Sequence, residues 1–192
     1  MNNDYHFLTR WRVKASPQEV YTILSQPLEY PRWWPSVYLS VRQLAPQTVA
    51  LHTRGWLPYT LRWQASTTES QPPNRWVVKI TGDFNGRGIW SIVQDGEYSD
   101  ITFDWKLTAD KPLLRHLSFA LKPAFEANHR WAMEQGLASL KLELRRYSAG
   151  TVEEMNSIAP AEGPHEFRVR QMFAGAALSA GLAAALWQGR RA

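Results

Sequence analysis

Residues 112–147 constrain this chain more than any other stretch, because they spell one long amphipathic helix with a single histidine on its apolar face. Phe125, His129, Ala132, Met133, Gly136, Leu137, Leu140 and Leu144 recur at helical spacing, while Lys122, Glu126, Arg130, Glu134, Lys141 and Arg145 fall on the other side. Such a helix must lay its apolar face on something. The residues before it hold no second helix of comparable length and read as strands, so the surface it covers is a β-sheet. A lone helix laid across a sheet tends to leave a hollow beneath it, which makes that space the place to look for function.

The strands follow from period-two alternation and turn residues. Residues 6–14 alternate Phe7, Trp11 and Val13 with Thr9, Arg10, Arg12 and Lys14. A helix start follows: Ser16-Pro17-Gln18-Glu19 has the form of a capping box with proline where no donor is missed. Val20, Ile23 and Leu24 give its buried face, Pro27 ends it, and Pro31 and Pro35 bracket Trp33-Trp34 in a compact turn or second short helix. Six more strands are expected over 37–44, 48–55, 59–67, 75–82, 88–94 and 101–108. The expectation is therefore an α+β fold: an antiparallel sheet of about seven strands, two short helices after the first strand, and a long helix closing the sheet. Asn85-Gly86 is the sharpest turn signal. A two-residue loop there pairs Phe84 with Arg87 and puts Trp76, Val78, Ile80, Phe84, Ile89 and Val93 on one sheet face, joined by Ile101, Phe103, Trp105 and Leu107.

The domain is expected to span 1–147, followed by a Ser-, Glu- and Pro-bearing linker over 148–170 and an Ala-rich apolar segment over 171–192. If helical, the sixteen residues 172–187 would reach about 24 Å, against a hydrocarbon core of about 30 Å. Three readings of this tail stand side by side: a membrane anchor flanked by Arg168, Arg170, Arg190 and Arg191, a helix packed on protein, or a disordered end. Cysteine is absent and the first residues are polar, which fits a cytoplasmic protein, membrane-associated if 171–187 anchor it. The net charge of +5 comes from basic residues dispersed along strands, a pattern of solvated surface and not of a nucleic-acid groove.

A capped helix after the first strand, a Trp-Trp-Pro turn, six further strands and a long closing helix together resemble the START-like, or SRPBCC, superfamily with its helix-grip fold. Residues 82–90, Gly-Asp-Phe-Asn-Gly-Arg-Gly-Ile-Trp, and Phe125-Glu126-Ala127-Asn128-His129 with Met133 and Gly136 are similar to the polyketide cyclase/dehydrase and lipid-transport branch. The resemblance covers residues 5–147. It implies an elongated apolar cavity between sheet and helix that takes lipids, polyketides, quinones or similar molecules, in some members with catalysis and in many without.

His129 is the sharpest polar candidate, with three readings open: a hydrogen-bonded core residue, a ligand contact, or an acid/base group. Asn128 sits at the edge of the same face. Arg87, if it pairs with Phe84, leans over the cavity mouth and receives an anionic headgroup, although a solvated hairpin tip is the plainer reading. Trp76, Ile80, Phe84, Phe103, Trp105, Phe125 and Met133 are expected to line the space, with Trp33 and Trp34 at its rim. Arg54 and Tyr59 flank a tight connection that reads as part of an entrance. No metal-ligand spacing, nucleophile motif or phosphate loop occurs, so neither metal nor cofactor is expected. The leading expectation is a binding protein, a carrier or sensor, for a hydrophobic small molecule. The alternative is a cyclase, aromatase or dehydratase type of enzyme using the same cavity without metal. A third reading, an adaptor recruited through its tail, requires a filled core.

Overall fold

The computed structural model describes residues 4–57, 59–109 and 118–164. Strand β1 (Asp4–Val13) leads into α1 (Pro17–Leu24), a 3-10 turn (Pro27–Glu29) and the short α2 (Tyr30–Trp33). Then come β2 (Tyr38–Ala45), β3 (Thr48–Arg54), β4 (Thr60–Gln71), β5 (Arg75–Gly82), β6 (Phe84–Asp95) and β7 (Tyr98–Ala109), followed by α3 (Ser118–Tyr147) and α4 (Val152–Ser157). The seven strands form one antiparallel sheet in the order β1-β7-β6-β5-β4-β3-β2.

Local chemistry accounts for the helix starts. The Ser16 hydroxyl accepts the Glu19 amide at 3.3 Å and the Glu19 carboxylate accepts the Ser16 amide at 2.7 Å, completing the expected box. The Ser16 hydroxyl also donates to that carboxylate at 2.7 Å, and this bond, together with the one from the Ser16 amide, holds Glu19 below its ordinary pKa. The helix α2 packs tightly under α3 because position 136 has no side chain: a Cβ there would come within 2.2 Å of the Trp34 indole. Arg32 of α2 reaches across to α3, donating to both Glu143 carboxylate oxygens at 3.1 and 2.5 Å.

The Asn85-Gly86 turn does not form. Both residues lie inside β6, where Asn85 pairs with Thr108 and Gly86 with Leu107 of β7. The chain reverses earlier, at Gly82-Asp83. Gly82 takes a φ of 126° that a side chain would resist, and Asp83 clips the turn to β4: its amide donates to the Arg62 carbonyl and its carboxylate accepts the Arg62 amide. The shifted reversal changes which residues of β6 face inward. Trp90 and Ile92 are buried on the inner face, whereas Val93 is 62% exposed on the outer face it shares with Arg87 and Ile89.

Within the expected linker, residues 152–157 form α4, capped by the Thr151 hydroxyl accepting the Glu154 amide. Ile158 behind it is buried, and Arg146 of α3 donates to the Ile158 and Ala159 carbonyls. This ordered start to the linker was not expected from its composition. The apolar segment 171–192 lies outside the described residues. Among the described residues no helix is long and apolar enough to cross a membrane.

Among the described residues, buried side chains form two clusters. One, built on Trp11, Val20, Leu24, Trp33, Ile92 and Leu140, joins α1, α2 and the C-terminal half of α3 to the sheet. The other, built on Tyr5, Ile80, Phe84 and Leu107, lies under Phe125 near the start of α3.

Candidate functional site

A cavity of about 630 Å³ lies between sheet and α3 and touches both clusters. That volume falls within the range of about 300–1,000 Å³ usual for small-molecule sites. The filled core required by the adaptor reading is therefore absent.

The inner face of the sheet supplies a wall of flat rings. Trp76 stacks on Trp90 at 5.7 Å, Trp90 on Phe103 at 4.2 Å and Phe103 on Trp105 at 5.7 Å, with interplanar angles of 15°, 18° and 30°. The register makes this ladder: Trp76 lies opposite Trp90, and Trp90 opposite Phe103. Ile80 and Phe84 continue the wall toward Phe125, and Met133 closes it from the helix. Gln26 and Leu28 on one side and Gln43, Pro46 and Gln47 on the other are exposed lining residues, so the cavity opens between the α1–α2 segment and the β2–β3 turn.

His129 hangs from α3 into this space. Its ring stacks on Phe7 at 4.3 Å and lies 5.3 Å from Trp105. Its Nε2 shares a hydrogen bond of 3.3 Å with the Thr9 hydroxyl of β1. Burial pulls the imidazole down to about 4, so it is neutral at physiological pH. Asn128 lines the cavity too, but its amide oxygen accepts the Leu57 amide at 3.2 Å and so ties the β3–β4 connection to α3. Tyr59, at the end of that connection, meets Phe125 edge-on at 6.3 Å, and burial pushes its hydroxyl up to about 12.

Ten of the twelve residues singled out in the sequence line the cavity: Trp34, Trp76, Ile80, Phe84, Phe103, Trp105, Phe125, Asn128, His129 and Met133. Trp33 does not. It is 1% exposed and packs against Tyr30 and Trp34 in the core behind the rim. Arg87 lies on the outer face of the sheet, opposite Lys79 and Lys106, because the chain turns before Asn85. Tyr5, Phe7 and Trp90 are lining residues the sequence reading did not single out. Alternation along β1 already put Phe7 on the face of Trp11, whereas nothing in the sequence paired Thr9 with a histidine 120 positions away. Among the described residues no cluster of His, Cys, Asp or Glu is suited to a metal ion.

A seven-stranded antiparallel sheet gripping one long helix, with an aromatic-walled hollow between them, defines the class: a helix-grip protein with a cavity for hydrophobic ligands. The family described as polyketide cyclase/dehydrase and lipid transport matches residues 6–145, and the chain belongs to it. Solved structures agree on the fold. The Zhui aromatase/cyclase from Streptomyces sp. R1128 superposes with a TM-score of 0.65 at 16% identity, over 77% of this chain and 97% of that one. A START superfamily protein from Mycobacterium smegmatis gives 0.61 at 16% identity, over 74% and 99%. The protein TTHA0849 from Thermus thermophilus gives 0.59 at 18% identity, over 76% and 100%. No protein with a curated description matches the chain.

Proposed function

We propose that this protein is a non-catalytic carrier or sensor that shelters a hydrophobic small molecule, such as a lipid, quinone or polyketide, under α3. The observation that carries this reading is the 630 Å³ space walled by Trp76, Trp90, Phe103 and Trp105. Burying a guest there yields about 25 cal/mol for each Å² of apolar surface removed from water. The polar groups around His129 then orient the guest. Organic extraction of the purified protein followed by mass spectrometry should recover a lipid-like species. No such species, together with no saturable uptake of neutral hydrophobic probes, would overturn the proposal.

The second reading, a cyclase or dehydratase type of enzyme, is favoured by one feature: His129 is neutral, and thus in its proton-accepting form, on the cavity wall. Against it, the only polar side chain bonded to that imidazole among the described residues is the non-ionisable Thr9. On the enzyme reading, His129→Gln abolishes turnover and leaves ligand uptake intact; on the carrier reading, no turnover depends on it. Residues 171–187 are proposed to bring the cavity to a membrane surface. Fractionation of the full chain against a chain ending at residue 165 tests that role, and identical partition of the two would refute it.

A further inference from the structure

Among the described residues, no charged side chain stands on the inner wall of the cavity to receive an ionised guest. Among its described lining residues only Glu29 and Arg54 are charged. Glu29 accepts from Arg32 at 2.8 Å beside the mouth. Arg54 lies on the outer face with His52, whose pKa it helps lower, since Val49, Leu51 and Thr53 take the inner positions of β3. His129 is neutral, and every other polar side chain among the described wall residues is a hydroxyl, an amide or an indole. An anion entering such a space loses its hydration and meets no cation among the described wall residues, which costs far more than moving a neutral polar group.

The wall is nevertheless short of acceptors. The Tyr5 hydroxyl and the Trp105 indole N–H are buried with no hydrogen-bond partner. Both belong to lining residues, and both rings flank Phe7, at 5.9 and 6.0 Å. Burial raises the Tyr5 pKa, so this hydroxyl stays a donor at neutral pH. Unpaired buried donors are rare in folded proteins and mark a place where a partner belongs. An acceptor oxygen of a guest brought within hydrogen-bond reach of these rings would pair either one.

Resting on the binding function proposed above, we infer that the cavity selects uncharged guests bearing a carbonyl or similar acceptor oxygen, seated near Tyr5 and Trp105, and rejects carboxylates. A site built to hydrogen-bond a guest discriminates strongly against analogues lacking the matching group. This limits the substrate class to neutral ketones, quinones, esters or alcohols and excludes ionised fatty acids.

Three matched fluorescent probes test it at neutral pH: 2-acetylanthracene, 2-ethylanthracene and 2-anthracenecarboxylate. The ketone should bind about tenfold tighter than the ethyl compound, and the carboxylate about a hundredfold weaker than the ketone. In Tyr5→Phe, and separately in Trp105→Phe, the ratio of ketone affinity to ethyl-compound affinity should fall severalfold, whatever the change in apolar packing does to both probes alike. Equal binding of all three, or tightest binding of the carboxylate, would overturn the selectivity and leave the cavity's binding role standing. An unchanged ketone advantage in both variants would also overturn it. Binding of none of the three would overturn the binding role itself.

Discussion

The burial of His129 makes folding stability depend on pH in a calculable way. Its imidazole ordinarily titrates at 6.5 and in the fold at about 4, because the charged form would lose its hydration among Phe7, Trp105 and the cavity wall. The unfolded chain therefore binds the proton more readily between these values. The folded state has its full stability above the ordinary pKa, loses it as pH falls from 6.5 toward 4, and loses no more from this residue below that. Between about pH 7 and about pH 4.5 the loss is about 2 kcal/mol, an order-of-magnitude figure from the linkage relation. Urea denaturation of the native protein and of His129→Gln at both pH values isolates it, since contributions from the carboxylates are common to both and cancel. The native protein should lose about 2 kcal/mol more than the variant. An equal pH response in both would refute the claim that the imidazole is held neutral by burial.

Three further outcomes follow from the packing. Gly136→Ala places a methyl group against Trp34 and should cost about 1–3 kcal/mol by denaturant titration, with the change visible in the tryptophan emission. A stability change below about 0.5 kcal/mol would contradict the close approach. Replacing Arg32 and Glu143 by leucine, singly and together, should give a coupling of about 1 kcal/mol; the pair is worth less than a fully buried one because Arg32 is half exposed. Ser16→Ala should cost about 1 kcal/mol through loss of the α1 cap, and restoration by Ser16→Asp distinguishes capping from packing.

Much of this architecture was legible because its signals are local. Ser16 and Glu19 announce α1 within four residues, and helical spacing from Phe125 to Leu144 fixes the buried face of α3. Strand alternation placed Trp76, Ile80, Phe103 and Trp105 on the cavity side without knowledge of their neighbours. Asn85-Gly86 carries a strong turn signature, but Gly82 beside Asp83 offers positive φ as well, and the choice between them depends on Asp83 meeting the Arg62 backbone on another strand. A turn at Asn85-Gly86 faces Ile89 and Val93 inward and sets Arg87 at the mouth; the reversal at Gly82-Asp83 puts all three on the outer face. Long-range pairings such as Thr9 with His129, and the orphaned donors of Tyr5 and Trp105, exist only once β1 lies beside β7. No spacing rule reaches them. The ordering of residues 152–159 depends likewise on Arg146 of α3 meeting carbonyls beyond the chain reversal.

Titration with N-phenyl-1-naphthylamine, an uncharged probe, before and after the cavity is filled by Ala65→Trp is the most direct test of the central claim. Ala65 lines the hollow from β4, so an indole at that position occupies the space a guest would use. The native protein should bind one probe per chain saturably, and the variant, with an unchanged far-ultraviolet dichroism spectrum, should bind at least tenfold more weakly. Equal saturable binding by both would place the guest elsewhere, and no saturable binding by the native protein would show that the space under α3 does not serve a hydrophobic ligand.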